Sequence, residues 1–577
     1  MQPLRLSTPL RAATLALAAT TTAVHGRSTH QQLATRDYPT GGIQWKSCPD
    51  NVNAIAALDV ECGTLEVPLD YTAADSTETL ELSLLKVPAV KKPADHSILF
   101  NFGGPGLETR LTLAALGDML QAVTGGEHDL ITWDPRGTAE TLTFSCFANT
   151  TARGELARLS TLGNSSDVAR GRLWAGGKLY ADVCAEYPEA RERGPLINTA
   201  FTARDAMRIV DEVEGDGLLR YWGFSYGTDL GSTLAALFPD RVEKVLIDGV
   251  FSPIQYFYEL GDSEGYESAD DTLSEFFRQC VSTPEVCTLA QSHPDDTPEQ
   301  LEAATYHLIE ELKYRPFIYD GNVIGYDELK SAIRFTLYTP ISWLSLDKIL
   351  DAFLTEPRNE TLAGAAITTY LGSSLAGLAP ADDAGLGIEC VDKAPRTDDF
   401  DVFDATLDKA QAASRLLGDV LAALTATCAQ WRLEARERFT GGFDTVKPRK
   451  PLLVIGNTYD SATSINSARN ISETIKGSVL LEHGGVGHTT LQHPSLCTSR
   501  IIQNFFRNGT LPEPNTVCET VATPFNYAVS GPTWQDLFPE LGFEPPSGNA
   551  TKSAKSKRSL HSEDALQNIG RPRGAFW

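Results

Sequence analysis

From about residue 55 to residue 250, short apolar runs alternate with longer stretches in which apolar positions recur at helical spacing. That alternation predicts βαβ units and a largely parallel sheet. The runs predict strands over Leu80–Val87, His96–Phe102, Asp129–Trp133, Leu218–Gly223 and Lys244–Asp248. The pattern resumes at Pro451 with PLLVIGN, followed by a helix over Ser464–Ile475 and a strand over Ser478–Glu482. Between the two halves the period is helical, in PEQLEAATYHLIEELKY, YDELKSAIRFTLY, SWLSLDKILDAFL and FDATLDKAQAASRLLGDVLAALTATCAQW. The chain is therefore expected to be an α/β protein with a helical cap inserted into its core. The boundaries expected are a core from 27 to 250, the cap from 251 to 440, the second part of the core from 441 to 545, and a polar, aperiodic tail from 546 to 577 that is expected to be disordered.

Charge narrows the partners. Lys and Arg number 49 against 75 Asp and Glu, a net charge of −26, which argues against a nucleic acid as main partner. No apolar run of membrane-spanning length follows the N-terminus, so no stable membrane insertion is expected. Residues 1–26 carry Arg5 and Arg11 ahead of an apolar stretch, Leu15 to Val24, and read as a secretory signal peptide. Two further features agree with a secreted, extracellular protein. Ten cysteines fall in near-neighbour pairs, Cys48/Cys62, Cys146/Cys184, Cys280/Cys287, Cys390/Cys428 and Cys497/Cys518, as suits local disulfides, though sequence leaves connectivity open. Asn-x-Ser/Thr sequons occur at Asn149, Asn164, Asn359, Asn470, Asn508 and Asn549.

The most specific chemical signal is Gly223-Phe224-Ser225-Tyr226-Gly227, which follows an apolar strand and opens an amphipathic helix. This is the G-x-S-x-G nucleophile elbow in its strand–turn–helix setting, with Ser225 the expected nucleophile. The elbow aims the Tyr226 N–H at a reacting carbonyl oxygen, and Gly104 in SILFNFGGPG is the expected second oxyanion donor, since Pro105 has no N–H. A serine needs a base and an orienting acid, which follow the serine in α/β hydrolases in the order acid, then histidine. Asp460 lies just past the PLLVIGN strand, and His488 lies in a glycine-flanked loop after the next. His483, at the strand end, is the competing base, and Asp248 in VLIDGV is the competing acid. Asp134 and Arg136 in WDPRGT are expected to form a local ion pair. The cysteines lack zinc spacing and the glycine loop lacks the lysine of a phosphate cradle, so no metal and no cofactor is expected.

Taken in order, CGTLEVPLDY, NFGGPG, WDPRGT, GFSYGTDLG with FPDRVEKVLIDGV, LYTPISW, IECVD, PLLVIGNTYDSATSINSA, GHTT and NGTLPEPNTVC resemble the secreted α/β-hydrolase peptidases of the tripeptidyl aminopeptidase type, akin to prolyl aminopeptidases. The resemblance covers most of the chain and implies an α/β-hydrolase fold with Ser225, Asp460 and His488 as the triad and Gly104 and Tyr226 at the oxyanion hole. The chain departs from the family at Phe102, where proline is usual, and at Leu107-Glu108-Thr109, where small residues are usual. The function implied is a secreted serine exopeptidase acting on a free peptide N-terminus. An esterase, lactonase or amidase for a small natural product is the alternative, and a catalytically dead binding protein is a third reading against which the intact triad argues. Acids that could meet a substrate ammonium are Glu259, Asp262, Glu264, Glu389 and Asp392.

Overall fold

The computed structural model describes residues 42–157, 160–376 and 383–546. The stretch 1–26 read as a signal peptide, the tail beyond residue 546 and the sequon at Asn549 lie outside the described residues. Twelve strands are numbered here in chain order: β1 (Lys46–Ser47), β2 (Glu61–Pro68), β3 (Thr79–Val87), β4 (Ser97–Asn101), β5 (Asp129–Trp133), β6 (Leu219–Phe224), β7 (Val242–Asp248), β8 (Phe317–Tyr319), β9 (Asn322–Ile324), β10 (Leu453–Tyr459), β11 (Val479–Val486) and β12 (Thr516–Glu519). Ten of them form one sheet in the order β1-β2-β3-β5-β4-β6-β7-β10-β11-β12. From β5 to β12 every neighbouring pair is parallel, while β1, β2 and β3 run antiparallel at one side. This is the α/β-hydrolase fold expected, with its mostly parallel sheet.

The central strands are mostly apolar because helices cover both faces, as a parallel sheet demands. All six residues of β6 and all five of β4 are buried. Side chains alternate across the sheet, so Leu99, Tyr221, Val245 and Val454 pack in one core layer while Phe100, Trp222, Leu246 and Leu453 pack in the other. The register pairs Leu99 with Tyr221 and Phe100 with Trp222, which brings the C-terminal ends of β4 and β6 to one edge.

Between β7 and β10 the described residues are mainly helical, with a separate core built around Phe276, Trp343, Leu346 and Leu350. Expected helices match closely at Pro298–Tyr314, Tyr326–Thr336 and Trp343–Leu354. Two local differences have physical causes. The hairpin β8–β9 interrupts the helical run, and its Asp320-Gly321 turn, with φ of 47° and 75°, carries the Asp-Gly signature of a tight hairpin. The long run read over FDATLDKAQAASRLLGDVLAALTATCAQW is two helices, Phe400–Ala413 and Ala422–Ala429. It breaks where the Asp270 carboxylate accepts from the backbone N–H groups of Arg415 and Leu416, offering them an acceptor outside any helix.

The cysteines pair as Cys48–Cys62, Cys146–Cys184, Cys280–Cys287, Cys390–Cys428 and Cys497–Cys518. Among the described residues no helix is long and apolar enough to cross a membrane.

The expected ion pair between Asp134 and Arg136 does not form. Asp134 accepts from Arg110 at 2.6 Å and from the Thr109 N–H at 3.1 Å. Arg136, fully buried, instead grips Asp205 through Nε at 2.7 Å and Nη2 at 2.9 Å, and donates to the carbonyls of Leu69 and Pro68 at 2.5 and 2.6 Å. The guanidinium thereby ties the end of β2 and the loop after β5 to the helix Thr199–Val213, a job for a planar five-donor group rather than a nearest-neighbour pair. Removing one partner of such a pair strands the other. Arg136→Met is expected to lower unfolding stability by about 3–5 kcal/mol, and Arg136→Met/Asp205→Leu to recover part of the loss. Urea unfolding checks this, and an unchanged midpoint for Arg136→Met would show that the pair does not hold this junction.

Candidate active site

Ser225 joins β6 to the helix Tyr226–Leu237 with φ 55° and ψ −127°. A non-glycine residue in that region costs on the order of 1–3 kcal/mol, and the surroundings enforce it by contact. A Cβ at Gly223 would lie 2.1 Å from the Gly227 carbonyl oxygen, and one at Gly227 would lie 2.5 Å from that of Asn101. The Gly103 loop presses equally close, since a Cβ there would sit 2.6 Å from the Phe224 carbonyl oxygen and 2.8 Å from the Ser225 Cβ. Phe102, one of the departures from the family pattern, stacks on Phe224 with ring centroids 5.5 Å apart, so it packs beneath the turn.

Tyr226 begins its helix, so its N–H has no intrahelical acceptor and is available to an anion. Its phenol is drawn the other way, to the Thr199 hydroxyl at 2.5 Å. The Gly103 N–H is already committed to the Asn101 side-chain oxygen at 3.0 Å. Gly104, next along the loop, lines one pocket with Ser225 and Tyr226.

The expected acid and base meet. His488 Nδ1 lies 3.0 and 3.2 Å from the two carboxylate oxygens of Asp460, both residues fully buried. Asp460 also accepts from the N–H groups of Ala462, Thr463 and Thr489 and from the Thr463 hydroxyl. Burial alone would raise its pKa, but the charge and hydrogen bond of His488, with the bonds from Thr463, outweigh burial and hold the carboxyl below its usual range. With Nδ1 on Asp460, His488 Nε2 has no hydrogen-bond partner. Ser225 and His488 flank a common peptide: the Ser225 N–H donates to the Asp248 carbonyl at 3.1 Å, and a Cβ on Gly249 would lie 3.5 Å from His488 Cε1.

The competitors have other partners. His483 faces Thr498 at 2.9 Å, and burial pushes its pKa down to about 4. Asp248 accepts from the N–H and hydroxyl of Thr490, and burial carries its pKa up to about 7 against those hydrogen bonds.

Comparison with known proteins adds to this geometry. Residues 414–518 match the family described as TAP-like protein. The chain is 25% identical to the serine protease Hip1 of Mycobacterium tuberculosis over 498 residues, covering 82% of this chain and 91% of the relative. It is 24% identical to the tripeptidyl aminopeptidase of Streptomyces lividans over 522 residues, covering 87% and 92%. Among solved structures, the proline iminopeptidase of Mycobacterium smegmatis covers 77% of this chain and 98% of its own at 14% identity, with a TM-score of 0.31, too low to add to the strand order above. The chain has an α/β-hydrolase fold and is similar to tripeptidyl aminopeptidases over most of its length.

In this hydrolase the serine pocket is walled by the inserted region as well as the core, through Arg334, Tyr338, Glu389 and Leu421. Of the acids expected near a substrate ammonium, Asp262 and Glu389 line it. Asp262 pairs with Lys393 at 2.8 and 3.0 Å, and Glu389 lies 3.8 Å from the same ammonium. Burial raises the Glu389 pKa, with Lys393 opposing and Asp262 adding to the rise. The other candidates are engaged elsewhere or lie off the pocket. Glu259 pairs with Lys409 at 2.6 Å, and Asp392 accepts from Thr199 and Tyr256. Glu264 is not among the lining residues.

Three supporting residues escaped the sequence reading. Tyr338, in LYTPISW, accepts the His488 N–H on its carbonyl at 2.8 Å and sets its ring 5.3 Å from the imidazole. Asn457, in the strand before Asp460, donates to the carbonyls of Gly487 and Thr489, both at 2.8 Å, and so clamps the chain on either side of His488. Asp229, discussed below, lies four residues past Ser225 in the pocket wall, where helical spacing was its only signal. Asn457→Leu is expected to lower kcat by about tenfold to a hundredfold through misplacement of the imidazole, with KM near wild type. Unchanged kcat in steady-state assays would remove Asn457 from the positioning of the base.

Proposed function

We propose that this chain is a secreted serine exopeptidase that releases residues or short peptides from a free N-terminus through an acyl-enzyme. The Ser225 hydroxyl attacks the scissile carbonyl while His488 Nε2 takes its proton, and Asp460 holds the opposite ring nitrogen and stabilises the imidazolium. The oxyanion is met by the N–H groups of Tyr226 and Gly104. His488 then protonates the leaving amine, which departs, and a water activated by the same base releases the acyl group.

The observation that carries the peptidase reading is the content of the serine pocket. Asp262 and Glu389 stand in it beside Lys393, so the pocket offers carboxyl oxygens to which a substrate ammonium can donate. The names of the curated relatives support peptide substrates, and the apolar stretch of residues 1–26 and the disulfide pairs support export. Asn149, Asn359, Asn470 and Asn508 are exposed and suited to carry glycans, whereas the Asn164 amide is tied to Gln411 at 2.5 Å.

Ser225→Ala and His488→Ala are each expected to lower kcat by about three or more orders of magnitude, because the triad acts as a unit. If His483→Ala were the crippling change instead, the base would be misassigned. On peptide anilides, acetylating the N-terminus is expected to lower kcat/KM by about tenfold to over a hundredfold, the value of one charge-assisted hydrogen bond. Equal cleavage of free and blocked peptides, or turnover of esters only, would replace this reading with that of an ester or amide hydrolase.

A further inference from the structure

Asp229 belongs to the helix that Ser225 begins, four residues and therefore about 6 Å further along its axis. It is fully buried and lines the same pocket as Ser225, and neither of its carboxylate oxygens has a hydrogen-bond partner. The catalytic steps described above make no use of it. The charged groups acting on it include the carboxylates of Asp262, Glu389 and Asp392 and the ammonium of Lys393, with the phenols of Tyr221 and Tyr226 nearby, and the Arg334 guanidinium lines the same pocket. Lys393 cannot serve it, being bound to Asp262 and to the backbone carbonyls of Gln255 and Tyr256. A buried carboxyl that lines a pocket and has no donor is disposed to accept one, and a cation brings both donor and compensating charge. The wall beside it offers Phe251, Tyr256, Leu386 and Leu424, surface on which an aliphatic stem packs.

We infer that Asp229 is the specificity-determining residue for the acyl side of the bond, binding the ammonium or guanidinium of a lysine or arginine whose carbonyl Ser225 attacks. Reach decides between side chain and α-ammonium. An α-ammonium lies two bonds from the attacked carbonyl carbon and a lysine ammonium six, and a depth of about 6 Å along the helix matches the longer arm. The inference rests on the serine-hydrolase reading but not on the requirement for a free N-terminus.

One consequence has a definite sign. Burial first, then Asp262, pushes the Asp229 carboxyl well above its usual range, with Lys393 opposing, and a cation bound beside it would act in the opposite direction. A bound cation favours the ionised carboxylate, so KM for lysine substrates is expected to fall as pH rises, relative to KM for uncharged ones.

The test compares kcat/KM for Nα-acetyl amides of lysine, arginine and norleucine, beside alanine amides with free and acetylated N-termini, in wild type, Asp229→Asn and Asp229→Glu. Labelling of Ser225 by a fluorophosphonate reports an intact site in each protein. Wild type is expected to prefer lysine and arginine over norleucine by about tenfold to a hundredfold. In Asp229→Asn the ratio collapses toward one while labelling persists, and Asp229→Glu retains part of it. No preference in wild type, which needs no variant to measure, or a preference that survives Asp229→Asn, would overturn the inference. So would a loss in Asp229→Asn confined to free-amino alanine, which would make the carboxylate a reader of the α-ammonium. Failure of wild type to label at Ser225 would instead remove the serine-hydrolase reading beneath it.

Discussion

The close approach of backbones around Ser225 is the constraint on which the site depends. Ser225 adopts its left-handed conformation because β6 enters and the helix leaves through a space that no Cβ at Gly223 or Gly227 could share. The Gly103 loop is wedged against the same turn, which sets its glycines beside Ser225 without any side chain to steer them. The strain is borne by a core in which the whole of β4 and β6 is buried, and the aromatic stack from Trp222 through Phe224 to Phe102 lies directly beneath. Such a turn is over-determined by packing, which is how strained functional backbone persists.

The buried charges divide into two kinds. Arg136 with Asp205, Arg204 with Glu437 and Lys330 with Asp419 are matched pairs that join distant segments and leave little to a ligand. Around Ser225 the balance differs: Asp262 and Glu389 share Lys393, and Asp229 has no donor at all. A buried carboxyl without a donor is costly to ionise, and a ligand of the opposite sign offsets that cost. The same physical chemistry therefore separates groups that hold the fold from groups poised to bind.

The acid–base pair shows how the inserted region is coupled to the core. Asp460 is saturated by donors from its own loop, and His488 is fixed from below by Asn457 and from above by the Tyr338 carbonyl and ring. The Cys497–Cys518 bridge closes the segment that follows, joining the helix Leu496–Asn508 to β12. A histidine so held needs little reorganisation before it accepts a proton.

Local pattern was enough to place the parallel strands, the elbow and the loops that carry Asp460 and His488, because those features depend on spacing within a few residues and on the conformational demands of glycine. The Asp-Gly turn of β8–β9 was equally local and was passed over under the stronger helical period around it. Other features were decided only by the tertiary structure. Arg136 sits two residues from Asp134 yet pairs with Asp205, and Asp262 and Glu389 were separated from Glu259, Glu264 and Asp392 only when the fold assigned partners to each. Asp229 was unremarked until its burial and its empty hydrogen-bonding positions were visible. The reason is physical: a period or a turn is written in neighbouring residues, whereas the worth of a charge depends on what lies across space from it, and that is set by segments far apart in the chain.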